Sequence, residues 1–97
     1  MNTLFLDTTD NKKILVKLTT EKGVDTVEEN IEQKKAQVVL LIVKKLLKKH
    51  KLTIHDISQV EVNPGPGSFT GVRVGVSIAN ALTYALGISK DLVEPLY

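Results

Sequence analysis

A Pro-Gly-Pro-Gly run at residues 64–67 divides this chain of 97 residues, because neither a helix nor a central strand can continue through it. Before the run, alternating apolar and polar residues predict strands, and after it the apolar period of a helix begins. The chain is long enough for one domain and too short for two hydrophobic cores. The fold must therefore connect a strand, a glycine-rich loop and a helix within one small domain.

The hydrophobic pattern predicts six elements. The first three are strands of an antiparallel meander, the third of them polar and at an edge. A helix then connects the meander to a fourth strand, which predicts a mixed sheet covered by helices and the α/β fold class. A second helix, closed by Gly87, follows the glycine loop. The elements are placed at residues 3–6, 13–19, 24–30, 34–50, 57–62 and 70–86, and residues 91–97 are ambiguous between a strand and a tail.

The first predicted helix has one side for the core and another that faces outward. The side assigned to the core contains Ala36, Val39, Leu40, Val43, Leu46 and Leu47. On the opposite side, Val38, Leu41 and Ile42 stand among lysines. Three large apolar residues in such surroundings indicate an interface, although single exposed apolar residues are common.

The second predicted helix is divided in the same way. The side assigned to the sheet contains Gly71, Gly75, Ile78, Ala79, Leu82 and Leu86. The opposing stripe is mostly polar and contains Arg73, Ser77, Asn80 and Tyr84.

Composition excludes several classes of function. The chain has no cysteine, so it has no disulfide, thiolate nucleophile or cysteine zinc site. His50 and His55 are too few for a histidine-rich cluster, and we predict no metal site. The seven lysines of residues 34–51 are not interleaved with aromatic residues, so we expect no base-stacking platform for nucleic acid. No apolar run is long enough for a membrane span and no signal-peptide pattern is visible, which predicts a cytoplasmic protein without membrane contact.

The glycine-rich segment at residues 63–75 admits two interpretations. A strand, a glycine loop and a helix start can form an anion site, because the N–H groups of the first helical turn are unpaired. The standard phosphate motifs do not match, however, since Thr70 replaces a glycine of the dinucleotide fingerprint and no glycine precedes a lysine. In the structural interpretation, Ser68 or Thr70 caps the helix, and Gly71 and Gly75 let it lie close to the sheet.

Asp7 and Thr8 follow the first strand, and they too could form either a ligand site or only a structural turn. A carboxylate at a strand end can hold a hydrated metal and hydroxyls can bind phosphate. These side chains also commonly make only the hydrogen bonds of a turn. A phosphate site here would use Asp7, Thr8, Gly65, Gly67, Ser68 and Thr70.

Residues 65–75, Gly-Pro-Gly-Ser-Phe-Thr-Gly-Val-Arg-Val-Gly, resemble the signature of the TsaB (YeaZ) family. This family belongs to the glycoprotease-like (peptidase M22-like) group of the actin/Hsp70/sugar-kinase superfamily. Residues 4–9 resemble its opening strand, and the resemblance extends to about residue 88. It implies one actin-like ATPase (ribonuclease H-like) lobe over residues 1–97, with the glycine loop at 63–71 and the second lobe absent.

The resemblance implies a role in forming N6-threonylcarbamoyladenosine at position 37 of tRNA. Members of the family are non-catalytic partners of a TsaD-like enzyme, so we expect a scaffold or activator with a vestigial phosphate site and no protease activity. Lys35 and Ala36 replace the frequent His-Ser of the family, so the metal-binding histidines of TsaD have no counterpart. We expect no cofactor, apart from a nucleotide held weakly at a partner interface. The alternative is a small nucleotide-binding ATPase or phosphotransferase that uses Asp7 and residues 65–70.

The partners implied by the resemblance are a TsaD-like subunit, other proteins of the threonylcarbamoyladenosine pathway and, for the chain alone, a second copy in a homodimer. We expect tRNA to be contacted only indirectly. Both helices should contribute to the contact. The predicted interface residues are Val38, Leu41, Ile42, Lys45, Arg73, Ser77, Asn80 and Tyr84.

Overall fold

A computed structural model of the protein describes residues 1–10, 12–31 and 35–87. Its strands and helices follow the predicted order. They are β1 (Thr3–Asp7), β2 (Lys13–Thr20), β3 (Gly23–Asn30), α1 (Lys35–Lys49), a short 3-10 helix (Ile54–Asp56), β4 (Gln59–Val62) and α2 (Phe69–Ala85). The ambiguous segment 91–97 lies outside the described residues.

Four strands of the described chain form one mixed sheet in the order β3-β2-β1-β4. The pairs β1–β2 and β2–β3 are antiparallel, as a meander requires. β4 instead runs parallel to β1, with Leu6 opposite Val62. Parallel neighbours need a crossover connection, and α1 lies within it. The predicted mixed sheet and α/β class are confirmed, and the parallel pairing places the ends of β1 and β4 side by side.

Both helices cover the same face of the sheet. Alternate residues of β1 and β2 point into this layer, and Leu4, Leu6 and Ile14 are fully buried there. The buried residues that the helices add are Val39, Ile42, Val43, Leu46 and Leu47 from α1 and Val72, Val76 and Ala79 from α2. The other face is only partly covered, and there the Lys17 ammonium lies 5.2 Å from the centre of the Phe5 ring.

The face of α1 that packs on the sheet differs from the predicted one. Ile42, which we placed opposite the core, is only 4% exposed, whereas Leu40, assigned to the core, is 50% exposed. Val38 is half-buried against the core cluster, as is Val27 of β3. The reason is that α1 packs on the sheet beside β2, with Val27 of β3 at the edge of the core cluster, and the sheet covers residues that a helical wheel alone places in water. Ile42 is therefore a core residue and is unavailable to a partner.

The two ends of α2 agree with the prediction. Ser68 is the N-cap, and its hydroxyl oxygen accepts a hydrogen bond from the Gly71 N–H at 3.3 Å. Past the other end, Gly87 has a φ of +67°, the left-handed conformation that favours glycine. Gly71, Gly75 and Ala79 are buried on the side facing the sheet, as predicted. The predicted side is displaced, however: Ile78, Leu82 and Leu86 are only half-buried, and the buried positions include Val72, Val76 and Thr83. No helix in the described part of the chain is long and apolar enough to cross a membrane.

Candidate functional site

The turn after β1 is closed by the Asp7 carboxylate. One carboxylate oxygen accepts hydrogen bonds from the Thr9 N–H at 3.0 Å and the Thr9 hydroxyl at 2.7 Å. The other accepts from the side-chain amide of Asn63, just past β4, at 3.1 Å. Partial burial raises the pKa of Asp7, but the hydrogen bonds from Thr9 and Asn63 outweigh it, and the pKa lies below its ordinary value of 3.8. The carboxylate is thus held ionised, and it links the ends of the two parallel strands.

The Thr8 side chain joins this turn to α2. It is fully buried, and its hydroxyl donates a hydrogen bond to the Gly71 carbonyl at 2.5 Å. A Cβ at Gly71 would clash with the Thr8 carbonyl, and a Cβ at Gly75 would clash with the Thr8 hydroxyl. The two glycines therefore let the first turns of α2 lie directly against residue 8.

The glycine loop lies on the same turn. The Ser68 N–H donates to the Thr9 carbonyl at 2.8 Å, and the Gly65 N–H donates to the Asn63 side-chain oxygen at 3.1 Å. A Cβ added at Gly67 would come within 2.7 Å of the Thr9 Cβ. Backbone of the loop and backbone of the turn are thus in direct contact, which leaves no space for a ligand between Gly67 and Thr9.

Lys35, the first residue of α1, completes the arrangement. Its ammonium group donates to the Asp10 carbonyl at 2.7 Å and to the Thr8 carbonyl at 3.3 Å. Burial lowers the pKa of Lys35, and the negative charge of Asp10 opposes this shift. We call this assembly the joint, meaning Asp7–Asp10, Lys35, residues 63–68, Gly71 and Gly75. The joint fastens both helices to the adjacent ends of β1 and β4.

The predicted phosphate-site residues are only partly brought together. The structure places Asp7, Thr8, Gly65, Gly67 and Ser68 in the joint, where the Thr8 hydroxyl and the Ser68 N–H already have partners within the protein. Thr70 is exposed and faces a groove between the helices. The described residues contain no group of three or more histidine, cysteine or acidic residues that could hold a metal ion.

Sequence reasoning left four residues of the joint out of the candidate site: Thr9, Asp10, Lys35 and Asn63. An Asn before Pro-Gly is a turn signal that could have identified Asn63. Nothing in the sequence distinguishes Lys35 from the solvated lysines of α1, because its role depends on two carbonyls that only the fold brings near it.

The predicted partner surface is exposed in part. Leu41 of α1 is 55% exposed, and Lys45 beside it is also exposed. On α2, Arg73, Ser77 and Tyr84 are exposed, whereas Asn80 is half-buried. We call this surface, with Leu40, Lys44 and Lys48, the outer helical face.

Two grooves run between α1 and α2 along this face. The first, of about 340 Å³, lies where both helices begin, and Ala36 and Thr70 line it. The second, of about 500 Å³, lies beside the last turns of both helices. Its floor is apolar, with Leu40 and Leu47 from α1 and Leu82 from α2. Because each groove is lined by the corresponding ends of the two helices, α1 and α2 run in the same direction.

Comparison with known proteins gives consistent matches. The family described as "TsaD: tRNA N6-adenosine threonylcarbamoyltransferase" matches residues 15–94. The tRNA threonylcarbamoyladenosine biosynthesis protein TsaB of Buchnera aphidicola from Schizaphis graminum is 34% identical over 68 residues, which cover 70% of this chain and 32% of that protein. TsaB of Bacillus subtilis is 46% identical over 41 residues, which cover 42% of this chain and 18% of that protein.

A solved structure, YeaZ from Pseudomonas aeruginosa, resembles the fold with a TM-score of 0.85 and 29% sequence identity. The match covers 96% of this chain and 43% of that one. The chain thus spans a third or less of the length of the two curated relatives. The single lobe over residues 1–97 stays a prediction.

Proposed function

This chain belongs to the TsaB (YeaZ) family, and we propose that it is a non-catalytic scaffold for a TsaD-like enzyme that forms N6-threonylcarbamoyladenosine at position 37 of tRNA. The names of the relatives support the pathway. The observation that carries the scaffold role is the exposure of two adjacent leucines in the middle of α1. The proposed role places the protein in the cytoplasm.

The two leucines are exposed without a reason internal to the fold. Leu40 is 50% exposed and Leu41 is 55% exposed, although the buried side of the same helix already packs on the sheet. Covering such side chains with a partner would stabilise a complex by about 1 kcal/mol each, since roughly half of each remains to be buried. The outer helical face therefore supports docking through both helices.

The joint supports a role without catalysis. The Thr8 hydroxyl and the Ser68 N–H are used within the protein, so they are not free to cradle a phosphate. A carboxylate whose pKa is lowered, as that of Asp7 is, makes a weak general base near neutral pH. In the alternative function, an ATPase or phosphotransferase, the purified protein would show metal-dependent turnover that is lost in Asp7→Ala. We expect no such turnover.

The experiment is a binding measurement with the TsaD-like protein of the same source, followed by a modification assay on tRNA. Leu41→Glu should weaken the complex by about 3 kcal/mol, because a carboxylate would be buried without a partner. The matched control is Val24→Glu, which places the same charge on a residue of edge strand β3 that is 60% exposed. Circular dichroism should show unchanged helix content in both variants.

The outcomes separate the candidate functions. Complex formation and tRNA modification that need this chain, and that Leu41→Glu impairs while Val24→Glu does not, would support the scaffold role. If the unmodified chain neither binds the TsaD-like protein nor affects modification, the proposal fails. If Leu41→Glu binds as well as Val24→Glu, docking occurs elsewhere on the molecule.

A further inference from the structure

Strand β3 lies at an edge of the sheet, and its outer side has no strand beside it in the described part of the chain. Its eight residues pair with β2 in one continuous register. The Ile31 N–H donates to the Lys12 carbonyl at 2.7 Å, which fixes the alternation of hydrogen-bonded pairs along this ribbon. Val24, Thr26 and Glu28 therefore direct their backbone N–H and carbonyl groups outward. Within the described residues, no hydrogen bond from outside the sheet reaches those groups.

The edge formed by β3 lacks the usual protection. Proteins commonly blunt a long edge strand with lysine, proline, a bulge or a covering element. β3 contains no lysine and no proline, and α1 packs over β2 rather than over β3. The strand at the other end of the described sheet, β4, has only four residues and is followed closely by Pro64. Of these two strands, β3 is therefore the one to which a further strand can add.

A groove of about 250 Å³ runs beside this edge, on the helix side of the sheet. Its lining residues are Val27, Glu29, Ile42, Lys45, Leu46 and Lys49. The groove lies on the side of α1 away from α2, because α2 contacts β1 and β4 at the other end of the sheet. A strand added to β3 would place every second side chain over the apolar part of the groove. We call β3 and this groove the β3 edge site.

The charges of the β3 edge site indicate which added strand would fit. Lys45 and Lys49 stand on the groove side, and Lys49 is paired with Asp25 of β3 at 2.9 Å. On the opposite side of the strand, Glu28 is exposed and lies 3.6 Å from Lys13 of β2. A residue of the added strand would lie next to Glu28 on its other flank. Apolar side chains toward the groove and basic side chains on the opposite side are therefore complementary to this edge.

Charge disfavours a second copy of this chain as the occupant. The charged residues of β3 are Asp25, Glu28 and Glu29, all acidic. Two-fold pairing of β3 with its copy would bring the carboxylates of both strands into one ribbon, with no basic side chain from either strand. Nucleic acid is disfavoured for the same reason, since its phosphates would lie beside these carboxylates.

We propose that the β3 edge site binds an extended segment of a partner protein, which adds to the sheet as a strand next to β3. In this segment, apolar residues alternate with lysine or arginine. The apolar side chains cover the groove, and the basic side chains lie next to Glu28. The β3 edge site lies apart from the outer helical face, so the inference goes beyond the proposed function, and one chain can hold both partners at once.

The first test uses synthetic peptides of about eight residues, the length of β3, in which valine alternates with lysine. Two control peptides keep the same side chains and carry N-methyl groups, on the lysine amides in one and on the valine amides in the other. Each control thus lacks the hydrogen-bond donors of one edge. One of them should bind about tenfold more weakly or worse than the unmethylated peptide, because backbone hydrogen bonds hold the added strand. The identity of that control reports whether the strand adds antiparallel or parallel.

Hydrogen exchange measured by NMR locates the bound peptide. In the chain alone, the amides of Val24, Thr26 and Glu28 should exchange rapidly, because they point outward. With the unmethylated peptide, their exchange should slow about tenfold or more. The amides of Asp25 and Val27 already pair with β2 and should change less. This alternation along one strand is specific to strand addition.

Two pairs of variants test the backbone and the charge separately. Thr26→Pro removes an outward N–H and keeps the pairing with β2, so it should weaken peptide binding about tenfold, whereas Thr26→Val should not. Glu28→Lys should weaken binding about threefold at low salt, since an exposed ion pair contributes modestly. Its control is Glu61→Lys, which makes the same charge change at an exposed residue of β4 and should have less than about a twofold effect.

Four results would overturn the proposal. They are equal affinity for all three peptides, slower exchange that is confined to β4, binding of a valine–glutamate peptide as tight as that of the valine–lysine peptide, and slower exchange of the outward β3 amides when the chain alone is concentrated. The last result would make a second copy the occupant. Because none of these measurements uses the TsaD-like protein, their outcome does not depend on the proposed function.

Discussion

The joint and the outer helical face use polar residues in opposite ways. In the joint, the side chains of Asp7, Thr8 and Lys35 each have partners inside the protein. On the outer helical face, the Lys44 and Lys48 ammonium groups extend into water beside exposed leucines. The comparison teaches that the segment with the most distinctive sequence holds the fold together. The helix surface, whose sequence is much less distinctive, carries the features suited to recognition.

The largest effect should come from comparing the buried and exposed sides of α1. Ile42→Ala should lower the free energy of unfolding by about 2–4 kcal/mol, because it leaves a cavity beneath the helix. Leu40→Ala should cost less than about 1 kcal/mol, since half of that side chain is already in water. Urea unfolding measures both. Equal costs would show that the two sides of the helix are not as different as the structure makes them.

The joint is tested by placing valine at two positions of α2. Gly75→Val should destabilise the protein by about 1–3 kcal/mol, because the new side chain meets the Thr8 hydroxyl and a methyl group of Val62. Ser77→Val adds the same residue to the exposed side of the same helix and should change stability by less than about 0.5 kcal/mol. Thermal unfolding of the two variants side by side gives the answer. An unchanged melting temperature in Gly75→Val would contradict the close approach.

The buried hydroxyl of the joint should have a somewhat smaller effect. Thr8→Val keeps the shape of the side chain but leaves the Gly71 carbonyl without this donor, at a cost of about 1–2 kcal/mol. The control is Thr26→Val on β3, where the threonine is exposed and the effect should stay within about 0.5 kcal/mol. Chemical denaturation at constant pH is the measurement. Equal stability of the two variants would mean that the hydrogen bond contributes nothing net.

The smallest effect concerns pH and the carboxylate of the joint. The pKa of Asp7 is below its ordinary value of 3.8 in the folded protein, because hydrogen bonds from Thr9 and Asn63 outweigh its partial burial. The contribution of the Asp7 carboxylate to folding stability is therefore complete above its pKa in the unfolded chain. It is lost as the pH falls through its lower pKa in the folded protein. The unmodified chain should lose stability in acid more steeply than Asp7→Asn. Parallel slopes in urea titrations from neutral to acid pH would rule this out.

The order and type of every predicted element agree with the structure, since each depends on local patterns. The alternation in β2, the helical period in α1 and the break at Pro64–Gly67 are visible in the sequence alone. The N-cap at Ser68 and the left-handed Gly87 are equally local, because each depends on one residue type at one helix end.

The errors and omissions in the prediction concern residues whose burial or contacts depend on a second element of the fold. A helical wheel places Ile42 outside and Leu40 inside, and only the packing of the helix on the sheet reverses this. The assembly of the joint has the same origin, since its turn and loop are far apart in the chain and meet because β4 pairs with β1. The charged surface was easier to predict. The lysines around Leu41 were visible in the sequence, although the groove between the helices was not.

The parallel pairing of β1 with β4 also has a consequence for the time course of folding. It places Thr3 opposite Gln59, whereas the β2–β3 hairpin places Thr20 opposite Gly23. Closing the longer segment costs more chain entropy, so we expect the meander to form early and the joint to close last. Weakening the joint should then accelerate unfolding more than it slows folding. During synthesis, the apolar face of β1 and β4 would remain open to water until α2 emerges to cover it.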